Sequence, residues 1–385
     1  MAAVAPRETG EEWSAQDSLA ELAQLAGTAG VEVVGQLIQR LPVPSKTHYL
    51  GKGKLDELEA LKSRLNYSVV IIDDELSPIQ QHNLEEALGV KVIDRAALIL
   101  DVFARRARTR EGQIQVELAQ HQYLLPRLAG QWSHLERLGG GIGTRGPGES
   151  QLETDRRLIR RKIQRLEKQI EEVRKHRRLY REQRKRSGIP MVALVGYTNT
   201  GKSTLLNALS HAGVFVEDKL FATLDPTTRR ITLPGRQAVL VTDTVGFIRK
   251  LPPAIATAFR ATLEELDEAD MLVNVVDITS QHAAVQYRIV ENTLRDLGLL
   301  AKPVVTALNK IDRLWPDGAA WQEEEVRAYL ARQHLTVDEN TVFISAARGW
   351  GLDRLLERIT LRLVRTKWPG DQAGSLPPPP SLEEA

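Results

Sequence analysis

Hydrophobic residues in the first hundred positions occur either as short continuous runs or at helical spacing. Such runs are typical of buried strands, whereas apolar residues three and four positions apart are typical of helices. The sequence predicts strands at 31–38, 68–72 and 90–93, and helices at 54–65, 77–88 and 95–107. This alternation predicts a small α/β domain, to which we assign residues 18–107.

The pattern becomes helical throughout residues 108–187. Two stretches with apolar residues at three-and-four spacing are separated by a glycine-rich loop at 139–148. This predicts an antiparallel helical hairpin, because each stretch can bury its apolar face only against the other. The apolar positions are Ile114, Leu118, Leu125 and Leu128 in the first helix, and Leu152, Ile159, Ile163, Leu166, Ile170, Val173 and Tyr180 in the second.

The predicted hairpin tip contains six glycines between residues 139 and 149. A chain reversal needs one or two, so the rest favour a loop that fits closely to a partner surface. Simple chain reversal is the alternative. The candidate contact residues are Gly143, Thr144, Arg145, Gly146, Pro147 and Gly148.

After a linker at 187–190, the apolar run 191–195 leads into a phosphate-binding sequence. Its glycines allow successive backbone N–H groups to face phosphates. We expect Lys202 to reach the β and γ oxygens, and the Ser203 hydroxyl to bind Mg²⁺. An ordinary glycine-rich turn is the alternative. The phosphate loop comprises Gly196, Tyr197, Thr198, Asn199, Thr200, Gly201, Lys202 and Ser203.

A second phosphate-sensing sequence ends the apolar run 238–241. Asp243 is placed to hold Mg²⁺ through water, and the N–H of Gly246 to meet a γ-phosphate. The motif comprises Asp243, Thr244, Val245 and Gly246.

Two later sequences indicate that the base is guanine. The Asp312 carboxylate can accept hydrogen bonds from the N1–H and amino group of guanine, whereas adenine would leave it unpaired. The first sequence is Asn309, Lys310, Ile311 and Asp312, and the second, which would contact the guanine O6, is Ser345, Ala346 and Ala347. In this order along the chain, the motifs predict a GTP-binding α/β domain over residues 190–365.

The segment 220–229 lies between the phosphate loop and Asp243 and has the position of a nucleotide-sensing switch. Such a segment needs a threonine that binds Mg²⁺ and meets the γ-phosphate. Thr223 is our choice, and Thr227 and Thr228 are the alternatives. We expect the nucleotide contacts in Phe221, Ala222, Thr223, Leu224 and Asp225.

The net charge is only +2 over 385 residues, yet the charge is unevenly distributed. Residues 156–186 contain fifteen Lys or Arg and four Glu, a local net charge of +11. This excess indicates a polyanion such as RNA as partner, with a solvated helix face as the alternative. The chain has 42% hydrophobic residues and no cysteine, which supports folded cores and is consistent with a cytoplasmic location. We expect no membrane span or signal sequence, and a disordered tail at 366–385.

The combined motifs resemble those of the HflX family of GTPases. The resemblance covers roughly residues 18–365 and includes the 143–149 loop, the phosphate loop, the switch segment and the sequence 243–248. It implies an α/β N-terminal domain, a helical hairpin and a Ras-like G domain that binds the large ribosomal subunit in the GTP state. It also implies the splitting or rescue of stalled or idle ribosomes under stress, and Mg²⁺ held by Ser203 and Thr223. Some relatives carry a further domain after the G domain, which this sequence does not show.

Position 247 is a departure from most Ras-like GTPases, which have a water-orienting glutamine there. Phe247 cannot hydrogen-bond water, so we expect slow hydrolysis by the protein alone and stimulation by the ribosome. Lys202 is the predicted catalytic residue. Asn199 resembles the asparagine of GTPases that recruit K⁺; its alternative role is to hydrogen-bond the loop. We expect a monomer that binds GTP and GDP.

Two other functions fit the sequence. The chain is alternatively a GTP-gated binding module for a protein partner, or a ribosome-assembly factor. Phosphate contacts predict affinity that falls steeply with salt, whereas an apolar hairpin interface predicts little salt dependence.

Overall fold

The computed structural model describes residues 1–5, 13–131, 147–210, 220–221, 223–252, 255, 265–314, 328–329 and 337–367. Within these ranges it leaves the side chains of 129–131, 147–152, 176–187 and 365–367 undescribed. The predicted contacts at Gly143, Thr144, Arg145 and Gly146, the switch residue Ala222 and residues 368–385 of the predicted tail lie outside the described residues.

The N-terminal domain is a four-stranded parallel sheet with the order β2-β1-β3-β4. The parallel arrangement needs crossover helices, which the predicted alternation supplies. The strands are β1 (Ala2–Ala5), β2 (Leu37–Arg40), β3 (Val69–Ile72) and β4 (Lys91–Asp94). The helices are α1 (Ala15–Thr28), α2 (Lys52–Leu65), α3 (Pro78–Leu88) and α4 (Arg95–Arg106). The predicted α/β class is confirmed.

Two features of this sheet differ from the expectations. The strand predicted at 31–38 begins at Leu37, because its neighbour β1 has only four residues and pairs Ala2 with Leu37. Strand β1 itself was not predicted, since three of its four residues are alanine, which is depleted in strands. It lies before residue 18, where we placed the start of the domain.

The hairpin is formed by α5 (Arg110–Gln131) and α6 (Pro147–Ser187). Its buried contacts involve Ile114 and Leu118 on α5, and Ile163, Leu166 and Ile170 on α6. Helix α6 begins at Pro147, so Pro147 and Gly148 are helical and do not belong to the loop predicted at 139–148. Proline favours the first turn of a helix, where its missing N–H has no partner to lose.

The G domain is a six-stranded sheet with the order β10-β9-β8-β5-β7-β6, in which only β6 is antiparallel among the described strands. The strands are β5 (Met191–Val195), β6 (Thr227–Thr232), β7 (Ala238–Asp243), β8 (Met271–Asp277), β9 (Val304–Asn309) and β10 (Thr341–Phe343). The helices are α7 (Lys202–Ser210), α8 (Ala283–Asp296) and α9 (Leu352–Lys367), with a 3₁₀ turn at Ile311–Arg313. Helix α9 includes residues 366 and 367 of the predicted tail.

One hydrophobic cluster is shared by the N-terminal domain and the G domain. Phe103 of α4 contacts Phe221 of the switch segment edge to face, with ring centroids 4.6 Å apart. Leu224, Val245 and Phe247 belong to the same cluster. The shared core therefore packs the N-terminal domain against the side of the G domain that carries the switch segment. Within the described residues, no helix combines the length and the apolar character that a bilayer crossing demands.

Candidate nucleotide site

The phosphate loop follows the carboxyl end of β5 and leads into α7. Gly196 has φ of +147° and Gly201 has φ of +96°, conformations that L side chains rarely adopt. A Cβ on Gly196 would overlap the backbone carbonyl of Val275, and one on Gly201 would overlap the amide of Asn309. Both glycines are therefore required by the backbone conformation and by close packing.

Lys202 is buried behind this loop, where its ammonium donates hydrogen bonds to the carbonyls of Tyr197 at 2.7 Å and Gly196 at 3.3 Å. Burial lowers the pKa of Lys202 to about 8, while the Asp243 carboxylate opposes that shift. Phosphate oxygens would offer this cation stronger acceptors than the two carbonyls do.

The hydroxyls of Ser203 and Thr223 converge on the Asp243 carboxylate. The Ser203 Oγ lies 2.6 Å and the Thr223 Oγ1 lies 2.8 Å from Asp243 Oδ2, and the two hydroxyl oxygens are 2.7 Å apart. Asp243 is 2% exposed, and its Oδ1 has no hydrogen-bond partner. Burial raises the pKa of the Asp243 carboxyl, against the opposing effect of Lys202.

This three-residue oxygen cluster fits a divalent cation. Mg²⁺ prefers oxygen ligands, and a buried carboxylate oxygen without a partner is the group that such a cation would compensate. The alternatives to Thr223 lie on β6, and the Thr228 hydroxyl is 2.8 Å from that of Thr242. Of the three candidate threonines, the structure places the Thr223 hydroxyl next to Ser203 and Asp243.

Gly246 lies directly over the phosphate loop. A Cβ at this position would be 2.8 Å from the Thr198 Cα and 2.9 Å from the Lys202 Nζ. The adjacent Phe247 pairs with the loop, because Thr198 N donates to Phe247 O at 2.8 Å and Phe247 N donates to Gly196 O at 3.0 Å. The Phe247 ring is buried in the core shared with the N-terminal domain.

The two base-recognition sequences meet beside the phosphate loop. Asn309 connects three segments, since its Nδ2 donates to Thr200 O at 2.8 Å and its Oδ1 accepts from Ala346 N at 3.0 Å. Ser345 Oγ donates to Asp312 Oδ1 at 2.6 Å, which fixes the orientation of that carboxylate. Lys310 lies over the loop, with its ammonium 2.8 Å from Asn199 O and 2.7 Å from Asp277 Oδ2.

These segments surround a cavity of about 330 Å³. A volume of this order is typical of small-molecule sites. Thr204, which directly follows Ser203 in the phosphate-binding sequence, also lines the cavity. Arg313, which the sequence did not single out, lines it as well. The predicted residues in the lining are Thr198, Asn199, Gly201, Lys202, Ser203, Phe221, Thr223, Thr244, Gly246, Asn309, Lys310, Asp312, Ala346 and Ala347.

Other predicted site residues are directed elsewhere. The side chains of Leu224, Val245 and Ile311 are buried in hydrophobic clusters. The Asp225 carboxylate contacts the beginning of α5, where it accepts hydrogen bonds from the N–H groups of Arg108 and Thr109. Such contacts join residues 116 or 117 positions apart, so local sequence patterns do not reveal them.

Tyr197 points away from the cavity into a largely buried polar cluster that we call the interdomain cluster: Glu21, Asp73, Arg95, Tyr197 and Lys250. The Tyr197 hydroxyl is 2.5 Å from Glu21 Oε1, and Arg95 pairs with Glu21 and Asp73 at 2.7 Å each. Lys250, four residues after Gly246, pairs with Asp73 at 2.5 Å. Although burial opposes it, the pKa of Asp73 is lowered by Arg95 and Lys250.

Comparisons with known proteins follow the same division of the chain. Residues 16–104 match a family model described as the N-terminal region of a GTP-binding GTPase, residues 106–184 match the middle region of such a GTPase, and residues 191–310 match a 50S ribosome-binding GTPase. Together these matches extend over most of the described structure.

Curated relatives are similar over nearly the whole chain. GTPase HflX of Caldanaerobacter subterraneus subsp. tengcongensis is 51% identical over 352 residues, covering 91% of this chain and 78% of the relative. GTPase HflX of Escherichia coli strain K12 is 42% identical over 347 residues, covering 90% and 79%. The solved complex of SsGBP with GDP is 27% identical with a TM-score of 0.48, covering 94% of this chain and 98% of that one.

Proposed function

The chain belongs to the HflX family of GTPases, and from this premise we propose that it is a GTP-hydrolysing switch that binds the large ribosomal subunit. In its GTP state it splits or rescues stalled or idle ribosomes. The observation that carries the GTP switch is that the hydroxyls of Ser203 and Thr223 meet on Asp243. Ser203 and Thr223 line the same cavity as Asp312. A site of this kind distinguishes GTP from GDP, because Thr223 can contact both the metal and a γ-phosphate only when GTP is bound.

The protein groups have separate roles in hydrolysis. Lys202 neutralises charge on the β and γ oxygens, and the N–H of Gly246 meets the γ-phosphate. Ser203 and Thr223 would hold Mg²⁺ directly, with Asp243 behind them, and the ion would supply charge neutralisation at the phosphates. A water oxygen bonds to the γ-phosphorus while the bond from that phosphorus to the bridging oxygen breaks. GDP leaves with the electron pair, and a proton of the water passes to the released phosphate.

We attribute slow hydrolysis in the free protein to Phe247. Its ring is buried in the shared core and its backbone pairs with the phosphate loop, so no side chain at this position orients the attacking water. A Phe247→Gln variant tests this assignment through its rates with and without ribosomes. An unchanged ribosome-stimulated rate would show that position 247 contributes little.

Asn199 is the proposed K⁺ residue, since it lines the cavity within the phosphate loop with φ of 62°. The ion would add positive charge beside the phosphates, as an arginine finger does in other GTPases. Hydrolysis rates measured in KCl and NaCl at equal ionic strength test this role. Faster turnover in KCl is expected, and equal rates would exclude it.

Support for a ribosomal RNA partner comes from α6. Several cations on this helix are exposed, and a polyanion releases counterions when such residues bind its phosphates. Affinity should therefore fall steeply as salt rises. The exposed cations include Arg157, Arg160, Arg161, Arg165 and Lys168.

Sedimentation with separated ribosomal subunits tests the partner directly. The full chain should pellet with the large subunit in a non-hydrolysable GTP analogue, and much less in GDP. Replacing both Arg161 and Arg165 by Gln should weaken binding and reduce the logarithmic salt slope by about 2, because each arginine that binds a phosphate accounts for about 1 of that slope. Lys91→Gln, at an exposed position on β4, is the matched control. Binding to the large subunit that depends neither on the nucleotide nor on the salt concentration would overturn the proposal.

A further inference from the structure

The switch segment has a second attachment point besides the nucleotide site. Asp225, two residues after Thr223, binds the beginning of α5 through three hydrogen bonds. Its Oδ2 accepts from Arg108 N and Thr109 N at 2.8 Å each, and its Oδ1 accepts from Thr109 Oγ1 at 2.5 Å. Arg108 and Thr109 directly precede Arg110, the first residue of α5, and a carboxylate is favoured close to a helix N-terminus.

The fit between Asp225 and α5 depends on Gly112. This residue lies in the first turn of α5, and a Cβ placed on it would overlap Asp225 Oδ1. The Gly112 N–H donates to Thr109 Oγ1 at 3.0 Å, so the hydroxyl that reaches Asp225 is itself held in place. The surface of α5 is thus shaped to accept the carboxylate.

The chain between the two attachment points has little slack. Two residues span at most about 7 Å when fully extended, so Thr223 cannot move far without moving Asp225. Leu224 between them is 4% exposed and packs in the shared core. Pro226 follows, and a residue before proline is restricted to extended conformations. Phe221, before Thr223, is fixed against Phe103 of α4.

From this geometry we infer that Asp225 is a positioning residue that links the occupancy of the nucleotide site to the beginning of α5. When Thr223 binds the metal beside a γ-phosphate, Asp225 is held on the N–H groups of Arg108 and Thr109 and on the Thr109 hydroxyl, directly before α5. When GDP releases Thr223, the carboxylate leaves α5 and the first helix of the hairpin loses its anchor. The inference rests on the proposed GTP switch and gives the hairpin a direct contact with it.

Coupling between two sites is reciprocal, so weakening the contact of Asp225 with the residues at the start of α5 must change nucleotide preference. Thr109 and Gly112 do not line the nucleotide cavity. Weakening their contact with Asp225 should lower the affinity for the GTP analogue and leave the affinity for GDP unchanged, because only the triphosphate state needs Thr223 in place.

The test measures equilibrium binding of fluorescent GDP and of a fluorescent non-hydrolysable GTP analogue, with Mg²⁺, to the full chain without ribosomes. Thr109→Val removes the hydroxyl at similar size, and Gly112→Ala adds the overlapping methyl group. We expect the ratio of analogue affinity to GDP affinity to fall roughly fivefold in Thr109→Val and roughly tenfold in Gly112→Ala, within the usual range of coupling between sites.

Two controls separate coupling from general damage to a helix. Thr109→Ser keeps the hydroxyl and should retain the original ratio. Gly27→Ala adds a methyl group to α1, where no atom lies within 4 Å, and should also leave the ratio unchanged. If Gly112→Ala does not fold, Thr109→Val decides the question alone.

An unchanged ratio in Thr109→Val, or an equal fall in Thr109→Ser, would overturn the inference. The experiment contains no ribosome, so its failure is distinct from that of the proposed partner. A fall in the ratio together with nucleotide-independent ribosome binding would keep the link between Asp225 and α5 and remove the ribosomal role.

Discussion

The two sheets differ in what lies at the carboxyl ends of their parallel strands. In the N-terminal sheet, Asp73 after β3 and Asp94 at the end of β4 are both fully occupied by protein groups. Asp94 accepts from Leu76 N, Ala97 N, Tyr123 and Arg127 at 2.8 to 3.0 Å. In the G-domain sheet, Asp243 ends β7 with one buried carboxylate oxygen unpaired.

The carboxylates of the N-terminal sheet hold parts of the protein together, whereas Asp243 of the G-domain sheet is available for a ligand. Carboxyl ends of parallel strands are a common place for ligands, because loops and helix N-termini meet there. The N-terminal sheet satisfies its carboxylates with Arg95 of α4, Arg127 of α5 and Lys250 of the G domain. In the G-domain sheet, Asp243 Oδ1 has no protein partner among the residues that the structure describes, which fits the proposed Mg²⁺ and nucleotide site.

The largest expected effect tests whether the site at the carboxyl ends of the G-domain strands is specific for a guanine nucleotide. Asp312→Asn presents an amide N–H where the guanine N1–H and amino group need acceptors, and buried polar groups then remain unpaired. We expect the affinity for GTP to fall roughly 10⁴-fold, while xanthosine triphosphate, with a carbonyl in place of the amino group, binds better than GTP. Competition with a fluorescent nucleotide measures both.

Asp353→Asn is the matched control for this change, because Asp353 is exposed on α9. It should leave GTP affinity unaltered. A GTP affinity retained in Asp312→Asn would mean that the cavity does not recognise guanine through this carboxylate.

The next effect tests how much the interdomain cluster, beside the carboxyl ends of the N-terminal strands, contributes to stability. Arg95→Met removes a guanidinium that is 1% exposed and leaves Glu21 and Asp73 without their main buried partner. We expect the free energy of unfolding to fall by about 3–5 kcal/mol in denaturant titrations of the full chain. Arg105→Met removes an exposed pair with Asp101 and should cost less than about 0.5 kcal/mol. Equal losses in the two variants would contradict the role of the interdomain cluster.

A smaller effect distinguishes the threonines of the switch segment. Thr223→Val deletes the hydroxyl beside Ser203 and Asp243, and we expect the Mg²⁺ concentration needed for half-maximal hydrolysis to rise roughly tenfold. Thr228→Val deletes a hydroxyl that contacts Thr242, and we expect this Mg²⁺ concentration to change by less than about twofold. Magnesium titrations after removal of metal by EDTA make the comparison. A larger change in Thr228→Val would reassign the metal ligand.

The smallest effect concerns the attachment of the hairpin to the N-terminal sheet. Tyr123→Phe removes one hydrogen bond to Asp94 and keeps the ring beneath Arg127. The free energy of unfolding should fall by about 1 kcal/mol, with no change in nucleotide affinity. A change in GTP affinity of more than a few fold would show that the two sheet edges are not independent.

The sequence was sufficient to predict the G-domain motifs because each one is short, continuous and placed directly after an apolar strand. The positions of Ser203, Asp243 and Asp312 follow from that local pattern. The choice of Thr223 over Thr227 and Thr228 came from the same segment and from the family resemblance, and the structure places this hydroxyl on Asp243.

Local sequence patterns could not predict the interdomain cluster. Glu21 is 74 residues from Arg95 and 176 from Tyr197, and no local pattern relates positions so far apart. The alanine-rich β1 was missed for a different reason, since its burial by neighbouring strands and helices overrides a weak local preference. Tertiary packing decided both features.

The aromatic contact between Phe103 and Phe221 has a consequence for handling the protein. Each of these rings gains about 1.5–3 kcal/mol from being kept out of water, and Leu224 lies in the same cluster. If the switch segment moved away, this surface would be exposed to water, leaving an apolar patch between the N-terminal domain and the G domain. We therefore expect purified protein without nucleotide to aggregate on storage, and to aggregate less when GTP or GDP is present.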